Sequence, residues 1–151
     1  MPTITPFLWF DTQAEEAMNF YVSIFSRSRV VKVDRAQGRV LSVEYELEGQ
    51  KFMALNAGPL FKFNEAVSFF VACETQAEID ALWAKLLAGG GRPDRCGWLK
   101  DRYGLSWQII PSALRGLLTD PDPARAKRAM DAMLQMQKLD LAKLLAARDG
   151  K

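Results

Sequence analysis

At 151 residues, with 49% hydrophobic and 25% charged residues, the chain is long enough to bury a core without disulfides or structural metal. A net charge of +2 with dispersed basic residues argues against nucleic-acid binding. No apolar run approaches the ~20 residues that cross a bilayer, so no membrane role is expected.

The clusters Arg27/Arg29/Lys32 and Arg125/Lys127/Arg128 do not alternate with stacking aromatics and read as solvated charge. Cys73 and Cys96 form no CxxC and there is no histidine, so a structural zinc site is not expected. The two cysteines read as reduced thiols, with a pairing left open. The start, MPTITPFLWFD, lacks a basic leader region, and a cytoplasmic location is expected.

In chain order, 4–10 is a short aromatic strand with Pro6 near its start. Across 13–25, Ala14, Ala17, Met18, Tyr21 and Ile24 recur at helical spacing, with Glu15 and Glu16 in the first turn, where the helix dipole favours them. Three strands follow, over 30–34, 40–47 and 51–55. In the second, Leu41, Val43, Tyr45 and Leu47 alternate with Ser42, Glu44 and Glu46, the mark of a half-buried strand. Glu48-Gly49-Gln50 is the turn into the third.

A connector with Phe61 and Phe63 leads to a strand over 67–73. Residues 76–88 then form a helix whose apolar face is Ile79, Leu82, Trp83, Leu86 and Leu87. Gly89-Gly90-Gly91 ends it; with no Lys-Ser/Thr following, a phosphate loop is not the reading. Gly97–Lys100 and Leu105–Ile110 are short strands joined by Asp101-Arg102-Tyr103-Gly104, a hairpin turn. Alternation puts Ser106, Gln108 and Ile110 on one face of the last strand and Leu105, Trp107 and Ile109 on the other.

The two halves repeat. Thr12-Gln13-Ala14-Glu15 recurs as Thr75-Gln76-Ala77-Glu78, an offset of 63, which also pairs Phe7 with Phe70 and Phe20 with Trp83. The expected fold is α+β: two βαβββ repeats, about 3–59 and 66–111, forming a curved mixed sheet around a cleft. Together they make a 1–111 domain, followed by a helical extension over 112–151. Asp122 and Pro123 mark a helix start there, and Met130, Met133, Met136, Leu141, Leu144 and Leu145 supply packing surface.

This pattern, with Phe10–Tyr21 and the Asp-x-x-Gly hairpin, resembles the vicinal oxygen chelate superfamily of glyoxalases, ring-cleaving dioxygenases and antibiotic-binding proteins. Phe52–Pro59, Phe61–Ala66 and Cys96–Asp101 resemble its PhnB-like branch, whose members carry a 3-demethylubiquinone methyltransferase label. The resemblance implies a divalent metal held by His and Glu. Carried over, those ligand positions fall near Thr5, Met53, Ser68 and Gln108, none of them a carboxylate or imidazole. No metal and no cofactor are therefore expected.

The same mapping puts Thr5, Phe7, Trp9, Met53, Ser68, Phe70, Ala72, Ser106 and Gln108 in the cleft, with Trp98 at its mouth. Phe7, Trp9 and Phe70 read equally well as core. The function expected is binding of a small apolar or aromatic molecule by a homodimer. The alternative is a lyase, isomerase or dioxygenase with an atypical metal site, which needs Glu44, Glu46 or Asp101; Glu44 and Glu46 are expected to face solvent. The methyltransferase label is disfavoured, because no Gly-rich strand-to-helix loop is present.

Overall fold

The computed structural model describes residues 1–151 and divides them into two compact units, 1–62 and 63–151. Each unit carries one four-stranded mixed sheet with a helix on one face. The chain is thus an α+β protein of two βαβββ modules, with helices following the second.

In the first unit the order is β1 (Phe7–Phe10), α1 (Ala14–Ile24), β2 (Arg29–Ala36), β3 (Arg39–Leu47) and β4 (Gln50–Asn56). The sheet order is β1-β4-β3-β2, with β1 parallel to β4 and the other pairs antiparallel. Pro6 delays the first strand to Phe7, although the Pro6 carbonyl still accepts from Met53 N at 2.9 Å. Both hairpins turn through paired positive φ values, Gln37/Gly38 and Glu48/Gly49, the geometry that matches strand twist.

Helix α1 covers one face with Ala14, Ala17, Met18, Tyr21 and Ile24, all buried. They meet Leu8, Phe10, Val43, Tyr45, Leu47, Phe52 and Ala54 from the strands. Tyr45 stacks on Phe52 with ring centroids 5.5 Å apart. Val43, Tyr45 and Leu47 are buried as their alternation predicts, whereas Leu41, at the sheet's end, is exposed. Residue Gln13 offers α1 no side-chain cap, and Asn56 Oδ1 of β4 instead accepts from Ala14 N at 2.8 Å.

The second unit repeats the plan with β5 (Ser68–Cys73), α2 (Gln76–Leu87), β6 (Arg92–Pro93), β7 (Trp98–Lys100) and β8 (Ser106–Pro111), in sheet order β5-β8-β7-β6. The offset of 63 holds through the helix and fails after it, because β6 and β7 are far shorter than β2 and β3. Thr75 caps α2 through its hydroxyl, which accepts from Glu78 N at 3.2 Å. Gly89-Gly90-Gly91 does end that helix, with Gly91 N donating to Leu87 O. The cysteines are free thiols.

Three helices follow: α3 (Leu114–Leu118), α4 (Pro123–Leu134) and α5 (Leu141–Arg148). Asp122 caps α4 by accepting from Ala124 N, with Pro123 in the first turn. Leu114, Leu117, Ala129, Leu139 and Leu144 close a second core around Ile110 of β8, and Met133 and Met136 pack against it. Two further ties hold this segment to the sheet. Cys96 N and Gly97 N donate to Met136 O and Gln137 O, and the Gln76 side chain brackets Leu139 O and Leu141 N at 3.0 and 2.8 Å. No helix is long and apolar enough to cross a membrane.

Candidate functional site

The nine expected cleft residues fall into two sets, one per unit. In the first unit Thr5 is half-buried just ahead of β1, and Phe7, Trp9 and Met53 lie on the sheet face opposite α1. The pairing places Phe7, Met53, Glu44 and Lys32 in one cross-strand row, and Leu55 and Ser42 in the row of Trp9. Phe7 is 52% exposed, so it is not core. Trp9 is half-buried; its Nε1 donates to Gly58 O at 2.9 Å, and its ring meets Phe61 edge-on at 4.9 Å.

Glu44 and Glu46, expected to face solvent, lie on the same partly exposed face as Phe7 and Met53, because opposite partners in register share a face. Alternation along β3 separates two faces but does not say which one carries the site. Both carboxylates are already paired: Glu44 with Lys51 at 3.1 Å, and Glu46 with Arg29 through two N–H donors at 3.0 Å each.

In the second unit the face opposite α2 carries the row Phe70–Gln108–Trp98 and, next to it, the row Ser68–Ser106–Lys100. Gln108 Nε2 donates to Ser68 Oγ at 2.9 Å. Phe70 is 61% exposed and Ala72 is exposed, whereas Gln108, Trp98 and Ser68 are half-buried. Ser106 differs from the others: it is 1% exposed and its hydroxyl has no hydrogen-bond partner. Lys100, which sequence reading left out of the site, extends over this face to Glu65 at 2.6 Å, and that hydrogen bond holds the Glu65 carboxyl below its ordinary range. The only sequence signal for Lys100 was its place two residues after Trp98, on the same side of a strand.

Asp101, the third carboxylate considered, is buried on other business. Its Oδ1 accepts from Tyr103 N and Leu105 N, and its Oδ2 from Trp107 Nε1, so it fixes the β7–β8 turn.

The donor set does not fit a divalent ion. Thr5, Met53, Ser68 and Gln108 offer neutral oxygen and soft sulfur, and two of them are bonded to each other. No three His, Cys, Asp or Glu side chains gather in a group that could hold a metal.

Two βαβββ modules, each pairing its first and last strands in parallel and its other neighbours antiparallel, define the glyoxalase-like fold of the vicinal oxygen chelate superfamily. Within it, the chain belongs to the family described as 3-demethylubiquinone-9 3-methyltransferase, whose model matches residues 2–110. A PhnB protein from Bacillus cereus, whose name carries the same methyltransferase description, is 38% identical; the match covers 74% of this chain and 100% of that one, with a TM-score of 0.68.

A Pseudomonas aeruginosa protein shares the fold at 18% identity and a TM-score of 0.60, over 74% of this chain and 98% of its own. A glyoxylase/bleomycin resistance protein/dioxygenase domain from Frankia does so at 13% and 0.50, over 74% and 97%. No curated protein matches the chain.

Proposed function

We propose that this protein binds a small apolar or aromatic molecule on the sheet faces opposite α1 and α2, without a divalent metal. The observation that carries the reading is the row Phe70–Gln108–Trp98: an amide between two aromatic side chains, held in place by Ser68. Aromatic surface supplies most of the binding free energy of such a ligand, and a few fixed polar groups set its orientation. With Nε2 committed to Ser68, Gln108 keeps its carbonyl oxygen as an acceptor and a second N–H as a donor.

The methyl transfer in the family's description is not part of this reading. The strand-to-helix turns are Asp11-Thr12-Gln13 and Glu74-Thr75, and neither offers the glycines that let a nucleotide cofactor approach a helix N-terminus. A metal-dependent lyase, isomerase or dioxygenase is the competing reading; Glu44, in the Met53 row, is the carboxylate it would use.

The reading includes residues 1–111 as the binding domain, 112–151 as its brace, a cytoplasmic setting and a second copy of the chain as partner. Met130 and Leu134, left 37% and 49% exposed on α4, support the partner, and light scattering in solution checks it.

The test uses 1-naphthol as the aromatic probe, titrated into 15N-labelled protein. The Trp98 indole N–H signal should shift, while those of Trp83 and Trp107, buried on the helix side, stay in place. Gln108→Ala should weaken the titration. Metal analysis and thermal melts with Zn2+, Mn2+, Ni2+ and Mg2+ accompany it. A stoichiometric metal or a metal-dependent rise in Tm would overturn the metal-free reading in favour of the enzyme.

A further inference from the structure

Ser106 is the unexplained polar group of the second sheet. A hydroxyl buried without a partner is costly, and proteins seldom keep one unless something uses it. Its cross-strand neighbours are Ser68 on β5 and Lys100 on β7, with Gln108 two residues along the same strand. Three donors thus belong to adjacent rows of one sheet face: the Ser106 hydroxyl, the Lys100 ammonium and the second N–H of Gln108. The Ser68 hydroxyl already accepts from Gln108.

The Lys100–Glu65 ion pair lies at the same place. Strand β8 runs between β5 and β7, and Glu65 sits just ahead of β5, so the bridge reaches from one side of β8 toward the other at the level of Ser106. The two partners are unequal. The Lys100 side chain is 27% exposed, against 65% for Glu65. The cation is held in the sheet face and the anion is supplied by a solvated loop. An exposed ion pair of this kind is weak and easily exchanged.

We propose that Lys100, Ser106 and Gln108 form a subsite for the carboxylate of a small aromatic acid, and that Glu65 occupies it as an internal carboxylate until the ligand displaces it. The proposal rests on the ligand-binding reading above and names the ligand class. An incoming carboxylate takes over the ammonium and gives the Ser106 hydroxyl an acceptor. Its ring then lies one row along the strands, about 7 Å away, between Phe70 and Trp98. Charge-assisted hydrogen bonds are roughly twice as strong as neutral ones, so the acid group should dominate selectivity.

The experiment compares 1-naphthoate with its neutral isostere 1-naphthamide by calorimetry and by the Trp98 indole signal, at neutral pH. Naphthoate should bind on the order of tenfold more tightly. Lys100→Met should erase that ratio while leaving naphthamide binding in place, and Ser106→Ala should reduce it. Glu65→Gln should tighten naphthoate alone, by removing the competing carboxylate. Added salt should weaken naphthoate and not naphthamide in the unmodified protein, a check that needs no variant to fold.

Equal affinities, or a ratio that survives Lys100→Met, would overturn the subsite and leave the general reading standing. Failure of both compounds to bind would overturn the two together.

Discussion

Trp107 Nε1 donates to Asp101 Oδ2 at 2.9 Å, with the two residues 2% and 3% exposed. The other oxygen of the same carboxylate accepts from Tyr103 N at 2.8 Å and Leu105 N at 3.1 Å. One buried charge therefore ties the β7–β8 turn to the strand that carries Gln108. Asp101→Asn keeps the size and turns one acceptor into a donor facing a donor, whether it meets the indole or the backbone. It should cost about 2 kcal/mol, and Asp101→Ala about 3 kcal/mol, since buried donors are left unpaired. Urea unfolding followed by tryptophan fluorescence measures both. A change within experimental error in Asp101→Ala would show that the carboxylate does not hold the turn.

The second prediction concerns the brace. Gln76 sits at the start of α2 and uses both ends of its amide on the segment 63 and 65 residues later, donating to Leu139 O and accepting from Leu141 N. Gln76→Ala removes both bonds, together with the Nε2 bond to the exposed Asp80 at 3.0 Å, and should cost about 1–2 kcal/mol. The loss should be local. Amide hydrogen exchange should speed up across 139–148 and stay slow in β5 and β8. Uniform acceleration through the second unit would mean that the helices and the sheet unfold as one.

The third prediction concerns pH. Cys73 is 1% exposed, and its thiol is pushed up to about 11, first by burial and then by the charges of Glu78 and Glu74. Its ordinary value is 9.0. A raised thiol pKa means that the folded state holds its proton longer than the unfolded state does. The stability this gives is complete below about pH 9 and is lost as pH rises toward 11. Cys73→Ala should therefore flatten the alkaline limb of the stability curve relative to the parent protein. Parallel curves would remove Cys73 as the cause. Iodoacetamide at pH 8 should spare Cys73 until the chain unfolds.

Much of the fold was legible because local patterns carry it. The alternation Val43, Tyr45, Leu47 names the buried face of β3, and Ile79, Trp83 and Leu86 name that of α2. The repeat Thr12–Glu15 and Thr75–Glu78 announces two modules. Yet identical tetrapeptides are capped differently. Thr75 supplies its own oxygen to α2, whereas α1 takes one from Asn56, 42 residues beyond Ala14. Only chain pairing brings Asn56 there.

The sequence by itself determined the element types, the two βαβββ modules, the neutral character of Thr5, Met53, Ser68 and Gln108, and the family these features mark. Side-chain period and residue chemistry are local properties, readable without knowing what lies opposite. Only the tertiary structure decided which partners meet: Glu44 beside Met53, the Gln76 amide on Leu139, Lys100 reaching Glu65, and the Ser106 hydroxyl shut in without a bond. Period fixes the face a residue takes. Register fixes its neighbours, and register depends on pairing between segments far apart in the chain.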